Sequence, residues 1–506
     1  MVSVQSVTVA AVDLGASSGR VLTGTFDGET LTISECARFS NGPVALPTDE
    51  GTDLIWDIAA LWRGIKEGLD EASRRGPIDA VGIDTWAVDY GLLDGSGRLI
   101  GLPNAYRSSR TDGAVERVHS VCNPSWLHAR NGLQFQPFNT IFQLVADLED
   151  TRTTGAKTLL MIPDLIGYWL TGERVCEVTN ASTTGLMNPQ TRDWDPDVLG
   201  VLRDQFGIRA SELLPDLVEP GAVVAPITCD GMECVTHGGD RTPLVAVGSH
   251  DTASAVVAIP RESDGGALAF ISSGTWSLAG LELDHPVRSE QSRAANFTNE
   301  LGVDGTVRYL QNIMGMWLQQ ECLREWRDEG LEQLSWDAIA AASEHAPAFR
   351  TVVDANDPRL LAPGKMTPRL DDLARETGQP VPRDRGDYLR TIAESLALAY
   401  RRALRTAAEL AGQDVTAVHI VGGGSQNSLL CQLTADATGL PVIAGPQEGT
   451  AIGNMLVQLR AIGALDGGLD SLRVVVSSSV QTARYEPNSE TSAMWDSAER
   501  RVFGTD

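Results

Sequence analysis

The chain has 506 residues, which is long enough for two or three domains with ample hydrophobic cores. It carries 40 Lys and Arg residues against 67 Asp and Glu residues, and the resulting net charge of −27 would repel nucleic acid and anionic membranes. A hydrophobic content of 42 % with 21 % charged residues is typical of globular proteins and excludes a largely disordered chain.

The seven cysteines and seven histidines are scattered, without a Cys-x-x-Cys pair, an HExxH motif or a Cys/His knuckle. This distribution favours a reducing cytoplasm and disfavours a dedicated transition-metal site. The N-terminal segment lacks the basic region of a signal peptide, and no uncharged apolar run is long enough to span a membrane. We therefore expect a cytoplasmic protein that binds neither nucleic acid nor membrane.

The predicted elements alternate between strands and helices. Residues 7–14, VTVAAVDL, form an apolar run typical of a buried strand, and GASSGR separates them from a second strand. Apolar residues recur at helical spacing over 58–69, Gly76-Pro77 ends that helix, and AVGID follows as a strand. The same order returns late in the chain, where a helical face over 392–404 ends at Gly412 and AVHIV leads into GGGSQN. This alternation predicts an α/β architecture.

One strand–turn–strand design occurs twice, as VAAVDLGASSGRVLTG at 9–24 and LAFISSGTWSLAG at 268–280. The repetition suggests two domains related by duplication, each offering a loop of small residues to a shared cleft. We place an N-terminal domain at 1–247 and a C-terminal domain at 248–506, because turn-rich sequence precedes residue 248. The final segment is a candidate to pack back on the first domain.

The Gly- and Ser-rich turn after the first strand is a candidate phosphate-binding loop, because exposed backbone N–H groups can point at phosphate oxygens. Asp13 at the strand end suits Mg²⁺ held through water, and Arg20 could add a counter-charge. The alternative is an ordinary hairpin turn in which Asp13 bonds its own backbone. A similar turn at 272–275 favours the phosphate interpretation. The chain contains no Walker A motif, which argues against a P-loop kinase.

A third glycine-rich segment, 421–427, lies between a predicted strand and a predicted helix. Its open backbone could cover an adenine or a ribose. It could also be a purely structural turn, or a degraded dinucleotide-binding fingerprint in which Asn427 replaces the third glycine.

Two further motifs carry carboxylates at strand ends. Asp251, in GSHDTAS, could act as a general base on a substrate hydroxyl, or it could simply cap the following helix, with His250 packed beside it. Residues 82–90, GIDTWAVDY, combine carboxylates with aromatic rings, which suits a polyol pocket. Polar and apolar residues also alternate in this segment, which is typical of an ordinary strand.

These motifs in this order resemble the FGGY family of carbohydrate kinases, within the actin, hexokinase and Hsp70 ATPase superfamily. The resemblance covers almost the whole chain and includes VDLGASSGR, GIDTWAVDY, SHDTASAV, SSGTWSLAG, NIMGMWLQQ and HIVGGGSQN. It implies two ribonuclease-H-like (actin-like ATPase) α/β domains with a central cleft. It also implies phosphoryl transfer from ATP with Mg²⁺, and within the family it implies L-rhamnulose as the substrate, phosphorylated at its 1-hydroxyl in L-rhamnose catabolism.

The resemblance also implies roles by motif position. Asp251 is the expected proton acceptor, and Asp13 is expected to organise Mg²⁺. The expected sugar contacts are Ala87, His250, Asp251, Thr252 and Asn312. The expected nucleotide contacts are Ala16, Ser17, Ser18, Gly19, Arg20, Thr275, Gln320 and Gly423. Ala87 stands where the family typically has glycine, so its methyl group could alter sugar preference.

Three alternatives remain at this stage. Another ketose kinase of the family, acting on L-fuculose or L-ribulose, would share the fold, and the superfamily also includes non-catalytic ATP-driven sensors. An NAD-dependent oxidoreductase built on GGGSQN is disfavoured by the missing third glycine. The expected partners are a small ketose and ATP, and the chain is expected to be a monomer or a homodimer.

Overall fold

The computed structural model describes residues 6–49, 51–149, 151–260 and 266–504. Its strands are β1 (Val7–Leu14), β2 (Ser18–Phe26), β3 (Leu31–Ser40), β4 (Pro43–Thr48), β5 (Gly51–Trp56), β6 (Ala80–Thr85), β7 (Tyr90–Leu93), β8 (Thr158–Met161), β9 (Val175–Glu177), β10 (Met187–Asn188), β11 (Asp193–Trp194), β12 (Asp216–Val218), β13 (Val223–Pro226), β14 (Pro243–Val245), β15 (Leu268–Ser273), β16 (Ser277–Leu283), β17 (Thr298–Leu301), β18 (Val307–Ile313), β19 (Val418–Val421), β20 (Val442–Ala444) and β21 (Ala483–Tyr485).

The α-helices follow the same chain order. They are α1 (Ile58–Arg75), α2 (Ala114–His119), α3 (Pro124–Asn131), α4 (Thr140–Ala146), α5 (Ile162–Thr171), α6 (Val178–Ala181), α7 (Pro196–Phe206), α8 (Asp251–Val257), α9 (Glu290–Ala294), α10 (Trp317–Asp328), α11 (Trp336–His345), α12 (Thr367–Glu376), α13 (Arg385–Ala411), α14 (Ser428–Thr438), α15 (Gly449–Ala461), α16 (Leu469–Ser479) and α17 (Ser492–Phe503). Among the described residues, none of these helices is both long enough and apolar enough to cross a bilayer.

The chain forms two compact units. The first contains residues 1–261, 283–309 and 449–480, and the second contains residues 262–282, 310–448 and 481–506. This grouping differs from the division placed at 247/248, because α8 packs against α15 within the first unit. The two helices approach so closely that a Cβ on Gly453 of α15 would overlap the carbonyl oxygen of Ser254.

The first unit is built on a six-stranded sheet with the order β13-β14-β6-β1-β2-β3. Strand β1 is antiparallel to β2 and parallel to β6. Leu22 of β2 belongs to the apolar cluster that includes Met455 of α15, while its neighbour Val21 contacts α1 at Gly68. Because successive residues of a strand point to opposite faces, α1 and α15 cover the two faces of this sheet. That double cover explains the nearly continuous apolar run of β1.

The second unit repeats this design. Strand β15 is antiparallel to β16 and parallel to β19, and β19 is parallel to β20, which pairs antiparallel with β21. The hairpin β15–β16 with its parallel partner β19 therefore corresponds to β1–β2 with β6. Both strand–turn–strand repeats predicted from the sequence are confirmed, and so is the long helix α13, which ends before Gly412.

Candidate active site

Two carboxylates lie side by side at the carboxyl ends of β1 and β6. Asp13 and Asp84 are directly paired across these parallel strands, and both are buried. Arg20 lies opposite Asp13 on β2 and forms an ion pair with it. Carboxyl ends of parallel strands are where α/β sheets place their ligand sites. Asp13 and Arg20 are site residues predicted from the sequence, whereas Asp84 was named only as part of the motif at 82–90.

Asp84 is held by side chains from a distant part of the chain. The Asn454 amide nitrogen donates to Asp84 Oδ2 over 2.6 Å, and Gln458 Nε2 donates to Asn454 Oδ1 over 2.6 Å and to Ala10 O over 3.0 Å. The other oxygen of Asp84, Oδ1, is buried without a hydrogen-bond partner. Burial, and next the charge of Asp13, raise the pKa of Asp84 well above its usual range. The buried Asp84 carboxyl therefore resists ionisation beside Asp13 unless a further cation is near.

Asp251 is the first residue of α8. Its Oδ1 accepts hydrogen bonds from the Thr252 backbone N–H at 2.6 Å and from Thr252 Oγ1 at 3.1 Å. The side chain is 33 % exposed, so it can reach a bound molecule. Partial burial raises the pKa of Asp251, nearby His250 opposes that shift, and Asp13 adds to it. The carboxylate thus accepts hydrogen bonds at the start of its own helix, as the capping alternative requires. It is also accessible, as a general base must be.

The loop before α8 is fixed by a buried glutamate that the sequence analysis missed. Glu177 Oε2 accepts from Ser249 N at 3.0 Å, Ser249 Oγ at 2.6 Å and Thr179 Oγ1 at 2.6 Å. Thr179 Oγ1 in turn accepts the backbone N–H of His250 at 3.3 Å. Thr85 N donates to Ser249 O over 2.8 Å, which places the loop beside the end of β6. The only sequence signal for this role is that Glu177 directly precedes a Thr/Asn/Ser-rich segment.

Asp89, the second carboxylate of the motif at 82–90, is buried and hydrogen-bonded within the protein. Asp89 is 1 % exposed, and its Oδ2 accepts from Trp56 Nε1 at 2.6 Å, Trp86 Nε1 at 3.1 Å and Tyr106 N at 3.1 Å. The rings of Trp56 and Trp86 pack with centroids 4.2 Å apart. Asp89 and Trp86 are thus committed to the interior, and half-buried Ala87 is the motif residue left for the predicted sugar contact.

Burial raises the pKa of Asp89 to about 6, although the Trp56, Gln143 and Trp86 side chains donate to it. A carboxyl whose pKa is higher in the folded protein binds its proton more tightly there, so stability falls as pH rises from about 4 to about 6. We expect the stability of Asp89→Asn relative to the wild type to increase by about 2 kcal/mol between pH 4 and pH 7. Urea unfolding of both proteins at several pH values measures this difference, and a pH-independent difference would contradict the prediction.

In the second unit, two segments that carry predicted site residues meet. Met316 N donates to Gly274 O at 3.1 Å and Trp317 N donates to Thr275 O at 3.0 Å, so the NIMGMW turn lies on the SSGT loop. Gly315 has a φ of +59°, and a Cβ there would lie 2.5 Å from the Trp276 carbonyl carbon, so this turn requires glycine.

The GGGSQN loop follows the strand next to the SSGT loop. Ser272 of β15 is paired with Val421 of β19, and Gly424 packs against the side chain of Ser273. Gly423 is exposed, with open space where a side chain would be. The small residues of the two loops therefore lie together, as a site for a nucleotide would require.

The predicted site residues fall into two groups, one in each unit. Those of the first unit are Asp13, Ala16, Ser17, Ser18, Gly19, Arg20, Ala87, His250, Asp251 and Thr252, and those of the second are Asn312, Thr275, Gln320 and Gly423. In the part of the chain that the structure describes, no cluster of three or more His, Cys, Asp or Glu side chains is arranged as a ready-made metal site.

Comparison with known proteins identifies the family. The N-terminal domain of the FGGY family of carbohydrate kinases matches residues 8–258, and the C-terminal domain of the same family matches residues 269–462. The chain belongs to the FGGY family of carbohydrate kinases. The predicted family is thus confirmed, and so is the enzyme class, a sugar kinase that uses ATP.

Individual relatives show how close the similarity is. A rhamnulokinase from Pectobacterium carotovorum is 43 % identical over 488 residues, covering 96 % of this chain and 94 % of the relative. A rhamnulokinase from Pectobacterium atrosepticum is 42 % identical over the same length and coverage. The crystal structure of a gluconate kinase from Lactobacillus acidophilus has a TM-score of 0.75 at 16 % identity and covers 98 % of this chain and 96 % of that one. At that identity the structural match concerns the fold alone, and it confirms the predicted two-domain α/β architecture.

Proposed function

We propose that this protein transfers the γ-phosphoryl group of ATP to the 1-hydroxyl of L-rhamnulose, which yields L-rhamnulose 1-phosphate in L-rhamnose catabolism. The observation that carries the substrate assignment is the 43 % identity to a rhamnulokinase over 96 % of this chain. The proposed chemistry is supported by the accessible carboxylate of Asp251 at the start of α8. A cytoplasmic location and a monomeric or homodimeric state stay predictions of the sequence.

Asp251 is the proposed general base. Thr252 donates twice to Oδ1 of Asp251, so Oδ2 is the oxygen that would take the proton of the sugar hydroxyl. As that proton leaves, the hydroxyl oxygen bonds to the γ-phosphorus, the bond to the β,γ-bridging oxygen breaks, and ADP departs. His250, Thr252, Asn312 and Ala87 are the proposed sugar contacts.

The phosphates of ATP are proposed to contact the turn Ala16–Arg20 and the second hairpin turn at Thr275, while Gln320 and Gly423 are proposed as further nucleotide contacts. Asp13, beside the unpartnered Oδ1 of Asp84, fits Mg²⁺, which prefers few carboxylates and keeps water ligands. When bound, Mg²⁺ would neutralise charge on the β- and γ-phosphate oxygens. A bound cation would also favour the ionised form of Asp84, which burial otherwise opposes.

A panel of sugars tests the proposed function. We expect ADP release with Mg-ATP to be fastest with L-rhamnulose, slower with L-fuculose, L-ribulose and D-xylulose, and negligible without sugar. Preference for another ketose would change the proposed substrate but not the reaction. Ala87→Gly would then be the first variant to make, to test whether the Ala87 methyl group sets the sugar preference. ADP release that is indifferent to every sugar would contradict the kinase assignment and favour an ATP-driven sensor.

A further inference from the structure

A buried ion pair lies behind His250 and does not follow from any motif of the sequence. Arg308, at the start of β18, is fully buried, and its Nη1 lies 3.1 Å from Glu300 Oε2. Arg308 Nη2 also donates to Leu301 O over 3.0 Å, which fixes the guanidinium. All of these residues, and His250 itself, belong to the first unit.

The imidazole of His250 lies between this ion pair and Asp251. Its Nδ1 is 3.1 Å from Arg308 Nη1 and 3.2 Å from Glu300 Oε2, while its Nε2 is 3.4 Å from Asp251 Oδ1. The ring is buried, and its backbone N–H is held by Thr179. The titratable and charged groups that face the ring are thus Arg308 and Glu300 on one side and Asp251 on the other.

The charged groups around the ring bear on which ring nitrogen carries the proton. A guanidinium only donates hydrogen bonds, so the 3.1 Å contact with Arg308 Nη1 favours Nδ1 of His250 as an acceptor, whereas Glu300 Oε2 at 3.2 Å would favour a hydrogen on Nδ1. The Asp251 carboxylate, 3.4 Å from Nε2, favours a hydrogen on Nε2 and so agrees with Arg308. A neutral ring with an unprotonated Nδ1 carries its hydrogen on Nε2. If the ring instead gains a second proton, Nδ1–H faces Glu300, and Nε2 keeps its hydrogen. In both states the protonated Nε2 is the ring atom that lies 3.4 Å from Asp251 Oδ1.

We propose that Glu300 and Arg308 are positioning residues, which hold His250 with its hydrogen on Nε2 and thereby hold the Asp251 carboxylate in place as an acceptor. Arg308 selects the tautomer, and Glu300 balances the buried charge of Arg308 and faces Nδ1. This inference rests on the proposed function, because Asp251 is the base of that reaction. Neither residue needs to touch a substrate.

Histidine ring NMR tests the tautomer without any substrate. In protein labelled with ¹⁵N-histidine, and with the His250 signals assigned by their loss in His250→Gln, we expect Nε2 to be protonated and Nδ1 to accept at pH 8. A ring with its hydrogen on Nδ1 would overturn the proposal. Because this measurement does not use turnover, it decides the inference even if the wild type phosphorylates none of the ketoses.

Kinetics test the positioning role. The double variant Glu300→Gln/Arg308→Met removes both charges together, so no uncompensated buried charge is left. We expect kcat with L-rhamnulose to fall at least 10-fold and the acid limb of its pH profile to move to higher pH, with KM for ATP unchanged. The single variant Arg308→Lys keeps a charged donor, so its kcat should be higher than that of the double variant.

The matched control is the largely buried ion pair Arg390–Glu394 of α13, joined over 2.6 Å. We expect Glu394→Gln/Arg390→Met to lower thermal stability while leaving kcat and its pH profile unchanged. A Glu300/Arg308 double variant that is folded and keeps kcat within two-fold, with the wild-type pH profile, would overturn the positioning role.

Discussion

Replacing Asp251 with asparagine is expected to lower kcat about 100- to 10,000-fold, because the amide cannot accept the proton of the sugar hydroxyl. The amide keeps the size of the side chain and can still accept from Thr252 through its oxygen. KM values for sugar and ATP should therefore change much less than kcat. Initial rates of ADP release at saturating substrates measure the effect.

The pH profile of the wild type provides a second view of Asp251. Because partial burial raises the pKa of this carboxyl, the rate should fall with decreasing pH through a midpoint above the usual value for aspartate. The matched control is Asp197→Asn, in the first turn of α7, where the side chain is 56 % exposed. That variant should keep wild-type kcat. A near-normal kcat in Asp251→Asn would remove Asp251 as the base.

Replacing Gly453 with alanine is expected to lower stability by about 1–3 kcal/mol or more, because the new methyl group has no space. The nearest atom is the carbonyl oxygen of Ser254, which is backbone and cannot rotate away. Relief requires α8 or α15 to shift, and α8 begins with Asp251. We therefore expect a lower thermal midpoint together with a reduced kcat.

The control for this change is another helical glycine. Gly200 of α7 has only Arg203 Nη2 near the position of a Cβ, at 3.9 Å. Gly200→Ala should be neutral or stabilising by up to about 1 kcal/mol, since alanine favours helix over glycine. If Gly453→Ala matched Gly200→Ala in both stability and kcat, the close approach of α8 and α15 would not matter for either property.

The sequence predicted those features that depend on local patterns. The apolar run of β1 and the helical spacing of α1 and α13 follow from burial on one or both faces, and the turns follow from runs of Gly and Ser. The predicted strand ends also located Asp13 and Asp251, because polar residues directly follow apolar runs there. Each of these patterns can be recognised within a window of about ten residues, so no information about distant segments is needed.

Contacts between distant segments could not be predicted in this way. Glu300 and Arg308 lie in ordinary strand sequence, and only the fold brings them to His250. Asn454 similarly reaches Asp84 across 370 residues of chain. The grouping of α8 with the first unit depends on packing against α15, which no local pattern contains.

The late position of α15 has a consequence for folding during synthesis. This helix covers one face of the first sheet, where Ala451 and Met455 share an apolar cluster with Val9 and Ala11. A ribosome completes β1 long before it reaches α15, so the emerging chain must hold that apolar face uncovered while more than 400 residues are added. We therefore expect the first unit to reach its native packing only after most of the second unit has been synthesised.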